Sequence, residues 1–183
     1  MERNVERDSS ANSKTGVIPF AVVRQYSGLE VLQQVKDGRL PMAPISDVIP
    51  IDLRDLEFGR ATIVSTPNRK FYNTIAIMHG GYAMTLLDTC MGLAIYTTLG
   101  SGIGYTTIET KVNFVKPIKA ETGSLRAVGH AVHTGTRTAT AEGRLIDEEG
   151  RLYAHGTTTC FLFPVDDAPV PLRRSQQRLP GAK

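Results

Sequence analysis

His79-Gly80-Gly81-Tyr82-Ala83-Met84-Thr85-Leu86-Leu87-Asp88 is the stretch that decides how this chain folds. A His-Gly-Gly step opens an apolar segment that continues to Leu99 and stops at Gly100. The length suits one long helix, and the Gly-rich run Gly100-Ser101-Gly102-Ile103-Gly104 suits its end. Being apolar nearly all round, this helix is expected to be covered on all sides. Its first turn places unobstructed backbone N–H groups at a positive dipole end, where an anion or a developing oxyanion can be held. Asp88 lies about two turns further on, too deep for a first-turn dipole partner. A carboxylate among such neighbours costs desolvation energy unless it has a partner or a use.

The segments around the helix define the rest. Ser27 to Lys36 reads as a short amphipathic helix, with Ser27 as N-cap, Leu29, Leu32 and Val35 as its apolar stripe, and Gly38 past its end. Pro41, Pro44 and Pro50 punctuate an extended connection, followed by strand-like runs at Val48–Phe58 and Arg60–Thr66. Pro67 to Met78 reads as a loop. After the long helix come four strands. Tyr105 to Lys116 alternates, with Ile108, Thr110, Val112 and Phe114 on one face and Glu109, Lys111 and Asn113 on the other. Leu125–His133 and Arg137–Ile146 are joined by the hairpin signal Thr134-Gly135-Thr136, and Leu152–Phe163 follows a turn at Asp147-Glu148-Glu149-Gly150. Ala139, Ala141 and Gly143 share one face, as do Ala154 and Gly156, so a helix can lie close on that part of the sheet. Without strand–helix–strand alternation, a parallel doubly wound sheet is excluded. A curled antiparallel sheet around one helix is the economical solution.

Composition narrows the function classes. The chain has 183 residues, enough for one domain with its own core, and a net charge of only +3. Arg173, Arg174, Arg178 and Lys183 gather much of the basic excess in a tail. No basic helix, aromatic RNA-binding strand or finger spacing points to nucleic acid. Cys90 and Cys160 are far apart and read as reduced core residues, not as metal ligands. The polar stretch Met1–Thr15 is not a signal peptide, and the longest apolar segment is interrupted by Asp88, so no membrane partner and a cytoplasmic location are expected. Residues 1–18 are expected to be disordered, 19–163 to form the domain with a core at about 45–163, and 164–183 to be a flexible tail.

This layout, with His79-Gly80-Gly81 before the helix and Asp88 within it, resembles the hotdog-fold acyl-CoA thioesterases, and the PaaI-like branch most closely. The resemblance spans roughly residues 45–163. It includes Asn73 six residues before His79, the acid seven residues after Gly81, and the strand Thr107-Ile108-Glu109-Thr110-Lys111-Val112-Asn113-Phe114-Val115-Lys116-Pro117. It implies an α+β hotdog fold: a curled antiparallel sheet of about six strands around one central helix, here with a short extra N-terminal helix. It also implies that a backbone N–H at Gly80, with Gly81 as neighbour, polarises the thioester carbonyl, while Asp88 serves as general base or nucleophile. Read alone, Asp88 is equally a structural carboxylate in a polar subunit interface.

The other candidates carry two readings each. His79 orients the leaving thiolate or holds Asn73, or else only shapes the start of the helix. Asn73 orients the acid or water, or makes a turn. The family's early Ser or Thr in the third strand corresponds to Thr107, but strict alternation turns Thr107 away from the Phe114 face and makes Thr106 a rival. Lys116 and the turn at Thr136 and Arg137 are candidate contacts for CoA phosphates, the turn being equally an ordinary hairpin. Tyr82, Met84 and Leu87 line an acyl pocket or simply pack the core. No cofactor is expected, CoA being part of the substrate.

Eight residues of helix rise about 12 Å, so Gly80 and Asp88 of one helix cannot meet one thioester carbon. A catalytic homodimer follows if both act, and the branch commonly forms homotetramers. Two other readings compete: a non-catalytic acyl-CoA sensor or structural oligomer, which does not require the Gly80–Asp88 pair, and a hotdog dehydratase, whose His and acid spacing is missing.

Overall fold

The computed structural model describes residues 15–165, so the expectations for residues 1–14 and 166–183 lie outside the described residues. Its elements run α1 (Phe20–Gln25), α2 (Gly28–Lys36), β1 (Asp52–Glu57), β2 (Arg60–Ser65), α3 (Gly80–Tyr96), β3 (Ile103–Phe114), β4 (Leu125–Thr134), β5 (Thr138–Asp147) and β6 (Leu152–Pro164). The six strands form one antiparallel sheet in the order β1-β2-β4-β5-β6-β3. Helix α3 lies on its inner face and packs against β2 to β6. This is the curled antiparallel sheet around one helix expected from the element order, and the α+β hotdog architecture that the resemblance implied.

Local chemistry accounts for most boundaries. Ser27 caps α2 with a full capping box: its hydroxyl accepts from the Glu30 N–H, and its own N–H donates to Glu30 Oε2 at 2.8 Å. Helix α1 was not expected. It has six residues and buries none of them, so it leaves no apolar stripe in the sequence to be read. The proline-punctuated segment between α2 and β1 forms a strap, to which Thr15 is bridged through Met42.

The small residues do allow a close helix, with one correction and one addition. Ala61, Gly129, Gly143 and Gly156 stand side by side across β2, β4, β5 and β6. A Cβ on Gly129 would sit 2.2 Å from the Cys90 carbonyl oxygen, and one on Gly143 would sit 2.8 Å from Met91 Cγ. Gly129 is therefore the point where α3 touches the sheet backbone. A Cβ on Gly156 would instead meet the Lys111 carbonyl of β3 at 2.5 Å, so its smallness serves strand against strand.

Within the single chain, α3 is not covered on every side. The sheet buries Leu86, Leu87, Cys90, Met91 and Ile95. Gly80, Met84 and Asp88, spaced four apart along one stripe, are only partly covered within the chain, and Met84 is 41% exposed. The adjoining edge is β3, twelve residues long, where Ile108, Phe114 and the following Val115 are 60%, 57% and 49% exposed. An edge this long and apolar is unusual unless something pairs with it.

Candidate active site

The two ends of the open stripe carry different chemistry. At its start, His79 is the N-cap of α3, and the Gly81 N–H donates to His79 Nδ1 at 3.0 Å. That bond uses the neutral imidazole as acceptor and leaves its proton on Nε2. The Gly80 N–H has no acceptor among the described residues. Of the two glycines, then, only Gly80 offers a free donor; the Gly81 amide is occupied by the cap. A side chain would be tight at both positions, since a Cβ would approach Phe114 Cζ to 3.0 Å at Gly80 and His79 Nδ1 to 3.1 Å at Gly81.

Asn73 adopts the turn reading. Its Oδ1 accepts from the N–H groups of Ile75 and Ile77 at 3.0 and 3.3 Å, closing a loop in which Ala76 takes a positive φ of 59°. His79 makes no hydrogen bond to Asn73; its N–H donates to the Phe71 carbonyl. Asn73, His79, Gly80, Ala83, Phe114 and Lys116 nevertheless line one cavity of about 410 Å³ at the N-terminus of α3.

Asp88 sits at the other end, against β3. Thr107 and Thr110 both donate to its Oδ1, at 3.0 and 3.1 Å, and Oδ2 has no partner among the described residues. A β-bulge makes this double contact possible. Thr107 pairs with Cys160 and Glu109 with Thr159, leaving Ile108 unpaired between them, so the side-chain parity flips and Thr107 joins Thr110 on the helix side. Strict alternation was wrong about Thr107 for that reason. Thr106 pairs with Phe161, and the hydrogen bonds to Asp88 come from Thr107 and Thr110 instead. Thr110, which sequence reasoning passed over, was signalled as a polar residue on an apolar face. Behind it Thr158 is buried, 3.0 Å from the Thr110 hydroxyl and donating to the Glu109 carbonyl at 2.8 Å.

Two further residues border the acid. Tyr105 lies over α3 one turn beyond Asp88, its hydroxyl 3.1 Å from where a Gly92 Cβ would stand. Burial pushes its phenol well above the usual range, reinforced by Cys160 and Asp88 nearby. Burial likewise pushes the Cys160 thiol up, against hydrogen bonds from Thr107 and Thr158.

The remaining candidates separate. Tyr82 is a core residue, 3% exposed; its ring stacks on Phe71 at 5.4 Å, and its hydroxyl donates to Ser65 at 2.8 Å. It has no surface to offer a substrate. Leu87 is fully buried too, whereas Met84 faces the open stripe. Arg137 lies over the Phe161 ring at 5.8 Å, beside the exposed Thr136. Because Phe161 is opposite Thr106, this turn adjoins one end of β3, whereas Lys116 follows the other end at Phe114. Eight residues of strand separate those ends by roughly 26 Å. Lys116 and Arg137 of one chain cannot hold the same phosphate.

Among the described residues no group of three or more His, Cys, Asp or Glu is placed to hold a metal, and no helix is long and apolar enough to cross a membrane.

Comparison with known proteins agrees with the fold. Residues 76–154 match the thioesterase superfamily. A predicted esterase of Saccharolobus solfataricus is 27% identical over 115 residues, covering 63% of this chain and 80% of that protein. A Streptococcus mutans protein solved with acetyl-CoA bound superposes with a TM-score of 0.57 at 27% identity, covering 63% of this chain and 90% of its own. The E. coli PaaI protein of the phenylacetic acid degradation operon gives 0.60 at 20% identity, covering 66% and 84%. By its matched segment and its fold, the chain resembles the PaaI-like hotdog thioesterases.

Proposed function

We propose that the protein hydrolyses acyl-CoA thioesters as a homodimer, with each active site assembled from two chains. One observation carries the reading: Asp88 has one oxygen held by two threonine hydroxyls and the other free, facing the uncovered stripe of α3. A carboxylate anchored through one oxygen and open at the other is placed to take a proton or attack a carbonyl. The free Gly80 N–H lies on the same stripe, about 12 Å away by helix rise and too far to serve the same carbon.

Pairing two β3 edges antiparallel resolves the distance. It covers Ile108, Phe114 and Val115, and it brings the Gly80 end of one chain toward Asp88 of the other. The same pairing brings Lys116 toward the partner's Arg137 turn, so the two cations reach one CoA from different chains. Dimers then associate further into a tetramer. The Gly80 N–H polarises the thioester carbonyl, and the positive end of α3 favours the oxyanion. Asp88 Oδ2 of the partner subunit then acts in one of two ways. It takes a proton from a water that attacks the carbon, or it attacks directly, expelling the CoA thiolate and leaving an acyl anhydride that water opens. His79 caps the helix that presents Gly80, and Asn73 fixes the loop before it. The unpaired state of Cys90 and Cys160 fits a reducing, cytoplasmic setting.

Asp88→Asn and Asp88→Ala are expected to lower kcat on an acyl-CoA at least about 100-fold with the fold intact. Release of CoA, followed with a thiol reagent, measures it. Turnover close to wild type in either variant overturns the assignment, and tight binding of acyl-CoA by the wild type without hydrolysis favours a sensor. Label found in Asp88 after a single turnover in ¹⁸O-water establishes the anhydride route with water opening at the Asp88 carbonyl, because general-base catalysis cannot place it there.

A further inference from the structure

Beside Asp88 on its C-terminal side lies a second cavity, about 210 Å³, that the hydrolytic machinery does not use. Thr89, Leu93 and Tyr96 of α3 and Tyr105 of β3 form its floor. Its roof comes from the segment preceding the sheet, through Leu32 and Val35 of α2 and through Met42 and Ile45 of the strap. All of that roof precedes residue 76, where the superfamily match begins. The wall is overwhelmingly apolar. It also includes Ser46, whose buried hydroxyl has no hydrogen-bond partner.

We infer that this cavity receives the acyl group of the substrate and sets its length, so that the N-terminal strap is a specificity element. Position carries the argument. Thr89 projects about 100° round the helix from Asp88, and Tyr105 reaches from the cavity wall to Gly92, one helical turn beyond Asp88, so an acyl chain extending from a carbon at Asp88 toward the helix C-terminus passes along Tyr105 into this space. Size sets the class. A dry cavity of about 150 Å³ accommodates benzene, so this one suits an acyl group of about six to eight carbons or one ring on a short tether. The apolar wall disfavours a charged end, and the orphaned Ser46 hydroxyl is available to receive a polar substituent. The CoA portion lies between the partner's Lys116 and this chain's Arg137 turn.

This inference rests on the thioesterase reading, and a test by binding keeps the two separable. The probes are the uncleavable thioethers S-hexyl-CoA and S-methyl-CoA, titrated calorimetrically into the full-length protein. Five extra methylenes buried in an apolar cavity are expected to tighten binding at least about 100-fold. Leu93→Phe, which fills the cavity, is expected to reduce that ratio at least tenfold while leaving S-methyl-CoA affinity within about twofold. Leu93→Ala, which enlarges it, is expected to raise the affinity for S-decyl-CoA relative to S-hexyl-CoA; this variant decides the matter if the larger residue prevents folding. A wild-type ratio near one, or ratios unmoved in a folded variant, overturns the acyl site. If the ratios behave as expected but wild type does not cleave hexanoyl-CoA, the cavity stands and the hydrolytic reading falls.

Discussion

Replacing the two threonines that hold Asp88 tests the site at its most specific point. Thr107→Val and Thr110→Val keep shape and remove one hydroxyl each, and both hydroxyls act on the same oxygen, at 3.0 and 3.1 Å. A hydrogen bond to a charged group contributes about 1.5–3 kcal/mol net. Asp88 is only partly covered, so the lower end applies, corresponding to roughly tenfold in kcat if the bond serves to aim the carboxylate. With one hydroxyl gone the other still restrains Oδ1. The double variant is therefore expected to lose more than the sum of the single losses.

Thr110→Val also breaks the 3.0 Å contact with Thr158. Thr158 keeps its bond to the Glu109 carbonyl at 2.8 Å, so the accompanying loss of stability stays near 1 kcal/mol. The assay is steady-state hydrolysis of one acyl-CoA by each variant, alongside a thermal melt. KM is expected to stay within about twofold, since neither hydroxyl faces the Gly80 end, and Thr→Ser is expected to restore most of kcat. Wild-type kcat in both single Val variants, or a loss confined to KM, would refute the claim that these hydroxyls position the acid.

Other perturbations reach the scaffold and the dimer. Gly129→Ala is expected to cost about 3 kcal/mol or more and to lower Tm by roughly 10 °C, because its Cβ would need the space held by the Cys90 carbonyl 2.2 Å away; an unchanged melt refutes that contact. Mixing Asp88→Ala with Gly80→Pro chains is expected to regain up to about a quarter of wild-type activity through hybrid dimers with one intact site. Hybrids shown to form yet inactive would break the shared-site scheme. Asp147 is buried, which alone would raise its carboxyl, but hydrogen bonds from Arg151 and Tyr153 outweigh this and hold it below the usual carboxylate range. Its contribution is therefore present above the unfolded carboxylate pKa of about 4 and lost as pH falls through the lower folded value. The Tm gap between wild type and Asp147→Asn is expected to be widest near neutrality and to close in acid; a constant gap refutes it.

What the sequence revealed and what it concealed divide along a physical line. Periodicity reports a residue's surroundings when those surroundings repeat, which is why α3, the antiparallel strands and the Ser27 cap could be read directly. Asp88 was legible for the complementary reason, as a charge that the apolar pattern around it left unexplained. A bulge breaks the repeat by one residue without changing composition. Nothing in Thr106-Thr107-Ile108-Glu109 announces that Ile108 drops out of register, and so Thr107 and Thr110 could not both be placed on Asp88 by counting. Gly129 was hidden similarly, since its neighbours show that it is small but not that a helix carbonyl fills the missing side chain's place. The acyl cavity is harder still: its walls come from α2, the strap, α3 and β3, segments with no mutual periodicity, and only their packing makes the space. Chemistry that resides in one element can thus be found from its residues, whereas specificity that arises between elements requires their relative placement. If the Leu93 variants shift chain length while the Thr107 and Thr110 variants shift kcat alone, that division will hold for function as it does for fold.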